Sequence, residues 1–103
     1  METASSIRFS AAARLVAAEA RAAGLVVPGF RSPPRIAGAD RTVRRRPDGG
    51  AIVAVRVRGR PFAAVANDLV EGVVAVNGLA GDEADRCRRR LWRVLEREGA
   101  RAA

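Results

Sequence analysis

Few side chains in this chain can take part in acid–base or nucleophilic chemistry near neutral pH. The sequence contains no histidine and no tyrosine, and all 19 of its basic residues are arginine. The groups that remain are one thiol, several hydroxyls of Ser and Thr, and 11 carboxylates. Because general acid–base catalysis relies on groups that titrate near the working pH, this composition predicts that the protein is not an enzyme.

The single thiol, Cys87, has two competing interpretations. It lies between Arg86 and Arg88, whose positive charges would favour a reactive thiolate. However, its helical spacing to Ala84 and Leu91 places it on an apolar stripe, where a thiol is inert. We favour the buried thiol. One cysteine in a chain without histidine also excludes an internal disulfide and a structural zinc site.

Two carboxylates, Asp68 and Glu71, lie about one helical turn apart and could share a metal ion or a proton. No third ligand accompanies them in the sequence, although hard cations require several oxygen ligands. We favour the interpretation that these two carboxylates belong to a polar strip that faces solvent or pairs with arginines. We therefore expect no metal and no cofactor.

Arginine dominates the chemistry of this chain. The net charge is +8, with seven arginines and one acid in residues 41–60, five acids and no arginine in residues 61–85, and seven arginines and two acids in residues 86–103. This surplus favours an anionic partner, unless the acidic block pairs internally with nearby arginines. The use of arginine alone also suggests the codon bias of a GC-rich bacterial genome, which weakens arginine content as an argument for nucleic acid.

Two short motifs invite a functional interpretation that their surroundings oppose. The stretch RGRP, residues 58–61, resembles the core of an AT-hook, but apolar segments flank it, so we predict a joint between a strand and a helix. The stretch GLAG, residues 78–81, matches the G-x-x-G loop of KH domains. Asp82 and Glu83 follow it directly and would repel a phosphate, so we predict a plain connection between two helices.

Apolar periodicity and turn residues predict one small α+β domain over residues 1–103, with the element order α-β-β-α-α. The first helix begins near Ser5 or Ser10 and ends at Gly24. An extended, Pro-containing connector covers residues 25–38. Its Pro-Pro-Arg segment could serve as a ligand for a groove of the SH3 type, but a stiff connector over the core is favoured.

Two further helices follow a β-hairpin in the predicted order. The second runs from Pro61 to Asn77 and is apolar around most of its circumference, so we expect it to be buried on several sides. The third begins at Asp82, and residues 99–103 form a frayed tail.

The hairpin turn at residues 47–49 predicts the register of its two strands. It pairs Arg46 with Gly50 and therefore Val43 with Val53. Helices must cover the valine face, because an isolated two-stranded ribbon is only marginally stable. That face also receives Arg41 and Arg45, an imperfection of the register. The opposite face carries Thr42, Arg44, Arg46, Ile52, Arg56 and Arg58.

Nucleic-acid binding by these arginines is the sharpest functional hypothesis. Two-stranded ribbons fit the major groove of DNA, and guanidinium forks match phosphate oxygens. Arginines of the third helix are expected to assist, and duplex DNA and structured RNA are not distinguished. No aromatic residue is interleaved with the arginines, which opposes base stacking on a single strand. The predicted binding residues are Arg44, Arg46, Arg56, Arg58, Arg60, Arg89 and Arg93.

A protein-interaction module is the alternative hypothesis. Its apolar second helix and Pro-containing segment would dock a partner whose acidic surface meets the arginines. In either case the free edges of the hairpin could pair with a second copy, so a homodimer with a four-stranded sheet is expected. We expect a cytoplasmic location and no membrane association, because no segment is apolar enough to span a bilayer and the N-terminal run is broken by charges.

Overall fold

The structure, a computed structural model, describes the backbone of residues 2–102 and the side chains of residues 8–98. The predicted α+β class is confirmed, with the helices and the hairpin in the predicted order and one additional short strand. The elements are α1 (Glu2–Ala22), β1 (Gly29–Arg31), β2 (Arg41–Arg45), β3 (Ala51–Val55), α2 (Phe62–Val76) and α3 (Gly81–Ala102).

The three strands form one mixed sheet with β3 in the centre, in the order β1-β3-β2. β2 pairs with β3 antiparallel, and Val43 lies opposite Val53, which confirms the predicted register. At the turn, the Arg46 N–H donates to the carbonyl oxygen of Gly50 at 2.8 Å, and Gly49 adopts a φ of 90°. This left-handed backbone is accessible to glycine without strain, so the turn residues determine the register.

β1 is the element that sequence analysis did not predict as a strand. It lies within the Pro-containing connector and pairs in parallel with β3, with Phe30 opposite Val53. Phe30 packs against the core, as its apolar side chain requires. Because β1 occupies one edge of β3, the sheet of this chain has three strands, and that edge is closed to the second hairpin of the predicted four-stranded sheet.

All three helices lie on the valine face of the sheet, and α2 is the central one. It packs against β2 and β3 on one side and against α1 and α3 on the other, while α1 and α3 also pack together. α2 is therefore buried on several sides, as predicted. Its buried residues are Val65, Ala66, Asp68, Leu69, Val70, Gly72, Val73, Val74 and Val76.

Glycines end the first two helices in the same way. Gly24 has a φ of 75°, and the N–H of the next residue, Leu25, donates to the Ala20 carbonyl at 3.0 Å. At the end of α2, Gly78 has a φ of 62°, and the following N–H donates back to Val74 at 3.1 Å. Both are Schellman closures. The stretches RGRP and GLAG accordingly form the predicted joints, between β3 and α2 and between α2 and α3.

Helix boundaries differ from prediction mainly at the two ends of the chain. α1 begins at Glu2, upstream of the predicted caps, because no proline or glycine interrupts residues 2–10. α3 continues through Ala102, although a tail was predicted from residue 99. The side chains of that predicted tail lie outside the described residues, as do those of Ser5 and the residues around it.

Gly72 is the position at which α2 comes closest to the sheet. A Cβ atom at this residue would lie 2.6 Å from Cγ1 of Val53 and 2.9 Å from its Cγ2. Alanine is ordinarily about 1 kcal/mol better than glycine inside a helix. Here we predict that Gly72→Ala instead lowers the free energy of unfolding by about 1 to 3 kcal/mol through overpacking, measured by urea denaturation.

Val53→Ala supplies the control, because it removes both methyl groups that crowd the new Cβ. We expect the cost of Gly72→Ala to fall, or to change sign, when it is introduced into the Val53→Ala background. A stabilising effect of Gly72→Ala in the otherwise unchanged protein would contradict the close approach.

Candidate functional site

The face of the sheet that the helices leave open carries the candidate site. Along β3, Ala51, Val53 and Val55 are buried under the helices, whereas Ile52 and Ala54 are only half-buried. Side chains alternate between the two faces of a strand, so Ile52 and Ala54 belong to the open face. Their partners across the sheet therefore lie there too, and these are Gly29 and Arg31 on β1 and Thr42 and Arg44 on β2.

A groove with a volume of about 450 Å³ lies on this open face. Ile52 and Ala54 form its floor, and the loop 32–40 that links β1 to β2 forms one wall. No acidic residue lines it. The residues that line this open-face groove are Arg31, Pro33, Arg35, Ile36, Ala37, Thr42, Arg44, Ile52 and Ala54.

Three arginines of the open-face groove, Arg31, Arg35 and Arg44, are exposed. None of them has an ion-pair or hydrogen-bond partner among the side chains that the structure describes. Arg31 and Arg44 sit on the two outer strands, which two strand spacings separate by about 10 Å. Guanidinium groups that no carboxylate of the fold neutralises are available to bind phosphate or carboxylate oxygens of another molecule.

Of these three residues, only Arg44 is among the binding residues predicted from the sequence. Arg31 and Arg35 were missed because they lie in the connector, whose pairing with β3 joins segments that are distant along the chain. The alternation of Gly29, Phe30 and Arg31 is the local signal that could have indicated a short strand with one apolar face.

Two other predicted residues lie near the hairpin turn and the end of β3. Arg46 is exposed and forms a 3.5 Å ion pair with Asp48, which is also exposed. An ion pair between two solvated side chains contributes little to stability and exchanges readily. Arg58 is exposed but already takes part in an interaction of its own. These two arginines extend the positive surface beyond the groove without lining it.

Arg56 and Arg60 are held by carboxylates of the fold. Nη2 of Arg56 lies 2.5 Å from Oδ1 of Asp40, and Nε lies 2.8 Å from the same atom. The side chain of Arg60 is only 11% exposed, and its Nη2 lies 2.7 Å from Oδ2 of Asp68. Arg60 is thus half-buried, with its guanidinium turned to the fold rather than displayed on the predicted surface, because a buried carboxylate requires its charge.

Asp68 is the only buried charged residue within the described part of the chain. Its Oδ1 accepts a hydrogen bond from Nη1 of Arg41 at 2.6 Å, while its Oδ2 faces Arg60 without an aligned N–H. Arg41 is one of the two arginines that the register places on the valine face. The other, Arg45, donates through Nη2 to the Val76 carbonyl at 2.9 Å. The apparent imperfection of the register is therefore a set of contacts between β2 and α2.

Arg89 and Arg93 lie on a different surface from the open-face groove. Both are exposed on α3, which packs against α1 and α2, whereas the sheet packs against α2. α2 therefore separates them from the sheet. The structure does not bring the predicted α3 arginines and the ribbon arginines together into one patch.

The remaining side chains that could take part in chemistry are buried in the fold or paired with arginines of the chain. Cys87 is 8% exposed, and burial is the largest cause that raises the pKa of its thiol. Glu71 accepts hydrogen bonds from Arg88, at 2.8 Å from Nε to Oε2, and this pairing raises the pKa of the guanidinium. The Arg-paired interpretation thus holds for both Asp68 and Glu71. Within the described residues there is no group of three or more side chains suited to hold a metal ion.

Comparison with known proteins identifies no relative. No family model, no curated protein and no solved structure matches this chain. Among the described residues, no helix combines the length and the apolar character needed to cross a membrane. The interpretation of function therefore depends on the geometry and charge of the surfaces described above.

Substitution of the buried carboxylate tests whether the charge network supports the fold. We predict that Asp68→Asn lowers the free energy of unfolding by about 3 kcal/mol, since it leaves Arg41 without its counter-charge and Arg60 with only the longer 3.5 Å pair to Asp40. The low end of the usual range applies because the Arg41 side chain is 34% exposed. Urea denaturation would measure the effect. Asp48→Asn, which breaks an exposed pair, should cost less than about 1 kcal/mol, and equal effects of the two substitutions would contradict this role.

Asp40 makes the stability of the protein depend on pH in a defined direction. The hydrogen bond from Arg56, aided by the charges of Arg56 and Arg60, lowers the pKa of Asp40 below its ordinary value of 3.8. A lowered pKa stabilises the fold above the ordinary value, and this contribution is lost as the pH falls through the pKa of the folded state.

The stability advantage of the parent protein over Asp40→Asn should therefore be constant between about pH 5 and pH 7 and shrink below about pH 4. Unfolding in urea at several pH values would measure this difference. An advantage that persists unchanged at about pH 2 would contradict the assignment.

Proposed function

We propose that the protein is a non-enzymatic nucleic-acid-binding protein, and that its open-face groove contacts the phosphates of a duplex. The observation that carries this proposal is the presence of three exposed, unneutralised arginines around one groove with no acid in its lining. Phosphate oxygens are the natural ligands of such guanidinium groups, which bind them through paired hydrogen bonds.

The lining of the groove favours a duplex over a single strand. It contains no aromatic side chain on which an unpaired base could stack. Apart from the arginines, Thr42 is the only lining residue with a side chain that forms hydrogen bonds. Contacts of this kind position a protein on the phosphate backbone and carry little sequence information. We therefore expect binding that depends weakly on base sequence.

The distribution of ion pairs supports the same proposal. In the part of the chain that the structure describes, the acids that form ion pairs with arginines include Glu19, Asp40, Asp48, Asp68, Glu71 and Asp85. These ion pairs neutralise several arginines, but none of them involves an arginine that lines the groove. The net charge of +8 therefore falls partly on a surface whose charged side chains are all positive, where it attracts a polyanion from solution.

A salt titration with a matched pair of variants tests the proposal. The double variant Arg31→Ala/Arg44→Ala should bind random-sequence duplex more weakly than the parent, because two phosphate contacts are lost. The slope of log K against log salt should become shallower by about 0.9 for each lost contact. Fluorescence anisotropy of a labelled duplex at several salt concentrations would measure both quantities.

The matched control is Arg89→Ala/Arg93→Ala, which removes the same charge from α3. It should leave the salt slope close to that of the parent, since these residues lie away from the groove. Equal losses in the two double variants would show that net charge alone attracts the duplex. If the parent protein does not bind duplex at low salt, the proposal is wrong, and an acidic protein partner becomes the better explanation of the groove.

A further inference from the structure

A second concave surface lies on the helical side of the molecule, between the end of α1 and the first turns of α3. Its volume is about 340 Å³. Three half-buried apolar residues, Ala23, Leu25 and Leu79, contribute to it together with buried Cys87. We call it the α1–α3 depression, and its charged lining residues are Glu83, Arg86 and Arg90.

The segment next to the depression is held in place by Asn77. Val26 follows the lining residue Leu25 in the chain and is 49% exposed. Its N–H donates to Oδ1 of Asn77 at 2.7 Å, and Nδ2 of Asn77 donates to its carbonyl at 3.0 Å. A fixed, exposed apolar surface favours contact with another protein surface, and little ordering entropy would oppose that contact.

The charges at the depression are of both signs and are only partly neutralised. Arg90 is paired with Glu19 at 2.5 Å. Glu83 and Arg86 are exposed, lie three residues apart on α3, and form no ion pair with any side chain that the structure describes. An apolar centre is thus flanked by one free carboxylate and one free guanidinium.

The charges around the depression are complementary to those of a second copy of the same chain. The first turn of α3 contains Asp82 and Glu83 and is followed by a run of arginines, so the charge changes sign along this part of the helix. When two copies place α3 antiparallel about a two-fold axis, Glu83 of each copy meets Arg86 of the other. Every contact across such an axis occurs twice, and both free charges are then paired around the joined apolar centres.

The edge of the sheet is a poorer place for two copies to meet. The sheet has two edge strands: β1 is only three residues long, and β2 includes Arg44 and Arg45 and is followed by Arg46. Antiparallel pairing of two such strands would bring arginines against arginines, and like charges directly opposite each other destabilise a sheet. Charged edge strands of this kind usually prevent association.

We propose that two copies of this chain associate through the α1–α3 depression, with reciprocal Glu83–Arg86 pairs across a two-fold axis. The expected homodimer thereby forms between helices rather than between strands. This inference does not depend on nucleic-acid binding, because the open-face groove lies on the other side of α2 and takes no part in the contact.

Sedimentation equilibrium of nucleic-acid-free protein with charge-reversal variants tests this interface. The parent protein should be dimeric at micromolar concentration. Glu83→Arg and Arg86→Glu should each weaken dimerisation at least about tenfold, since each places like charges opposite each other twice. An equimolar mixture of the two variants should form a heterodimer, because two arginines of one chain then face two glutamates of the other. The double variant Glu83→Arg/Arg86→Glu should dimerise with itself.

The mixture also controls for folding, because a misfolded variant could not restore association. A monomeric parent protein overturns the proposal. Dimers that persist in both single variants overturn it as well, since the copies would then meet at another surface. Failure of the mixture to associate, when circular dichroism shows both variants to be folded, excludes the reciprocal pairs.

Discussion

The ion pairs of Asp68 are the interaction on which the rest of the structure depends. One carboxylate, buried on the central helix α2, binds Arg41 from the edge strand β2 and Arg60 from the loop that enters the helix. Burial of a charge is unfavourable unless partners neutralise it. The position of α2 on the sheet is therefore tied to the register of β2 and to the path of the chain after β3, in addition to the packing of the valines.

The same requirement divides the arginines into two groups. Some are bound by acids of the fold, as Arg56 is by Asp40 and Arg88 by Glu71. Others, such as Arg31 and Arg44 on the open face of the sheet, meet no carboxylate in the described part of the chain. A high arginine content is therefore not itself a measure of a binding surface. What matters is which guanidinium groups the fold leaves without a counter-charge, and on which face they lie together.

The layered architecture gives the molecule two surfaces of different character. The helices bury one face of the central strand β3 and leave the other side of the sheet to solvent, with small or aliphatic residues such as Ala54 and Ile52 at its centre and arginines around them. On the far side of α2, α1 and α3 leave an apolar depression with charges of both signs. A surface of one sign suits a polyanion, whereas a surface of mixed sign suits a copy of itself. The two proposed contacts do not compete for the same residues.

Local patterns in the sequence determined the helices, the hairpin register and the two joints, because caps, turn residues and apolar periodicity act over a few residues. They also placed Arg44 on the exposed side of the ribbon. Only the tertiary structure decided that β1 pairs with β3, which brings Arg31 to the same face, and that Asp68 withdraws Arg60 from the surface. Both outcomes depend on contacts between residues that are distant along the chain. A local sequence pattern does not indicate which distant charge or strand a residue will contact.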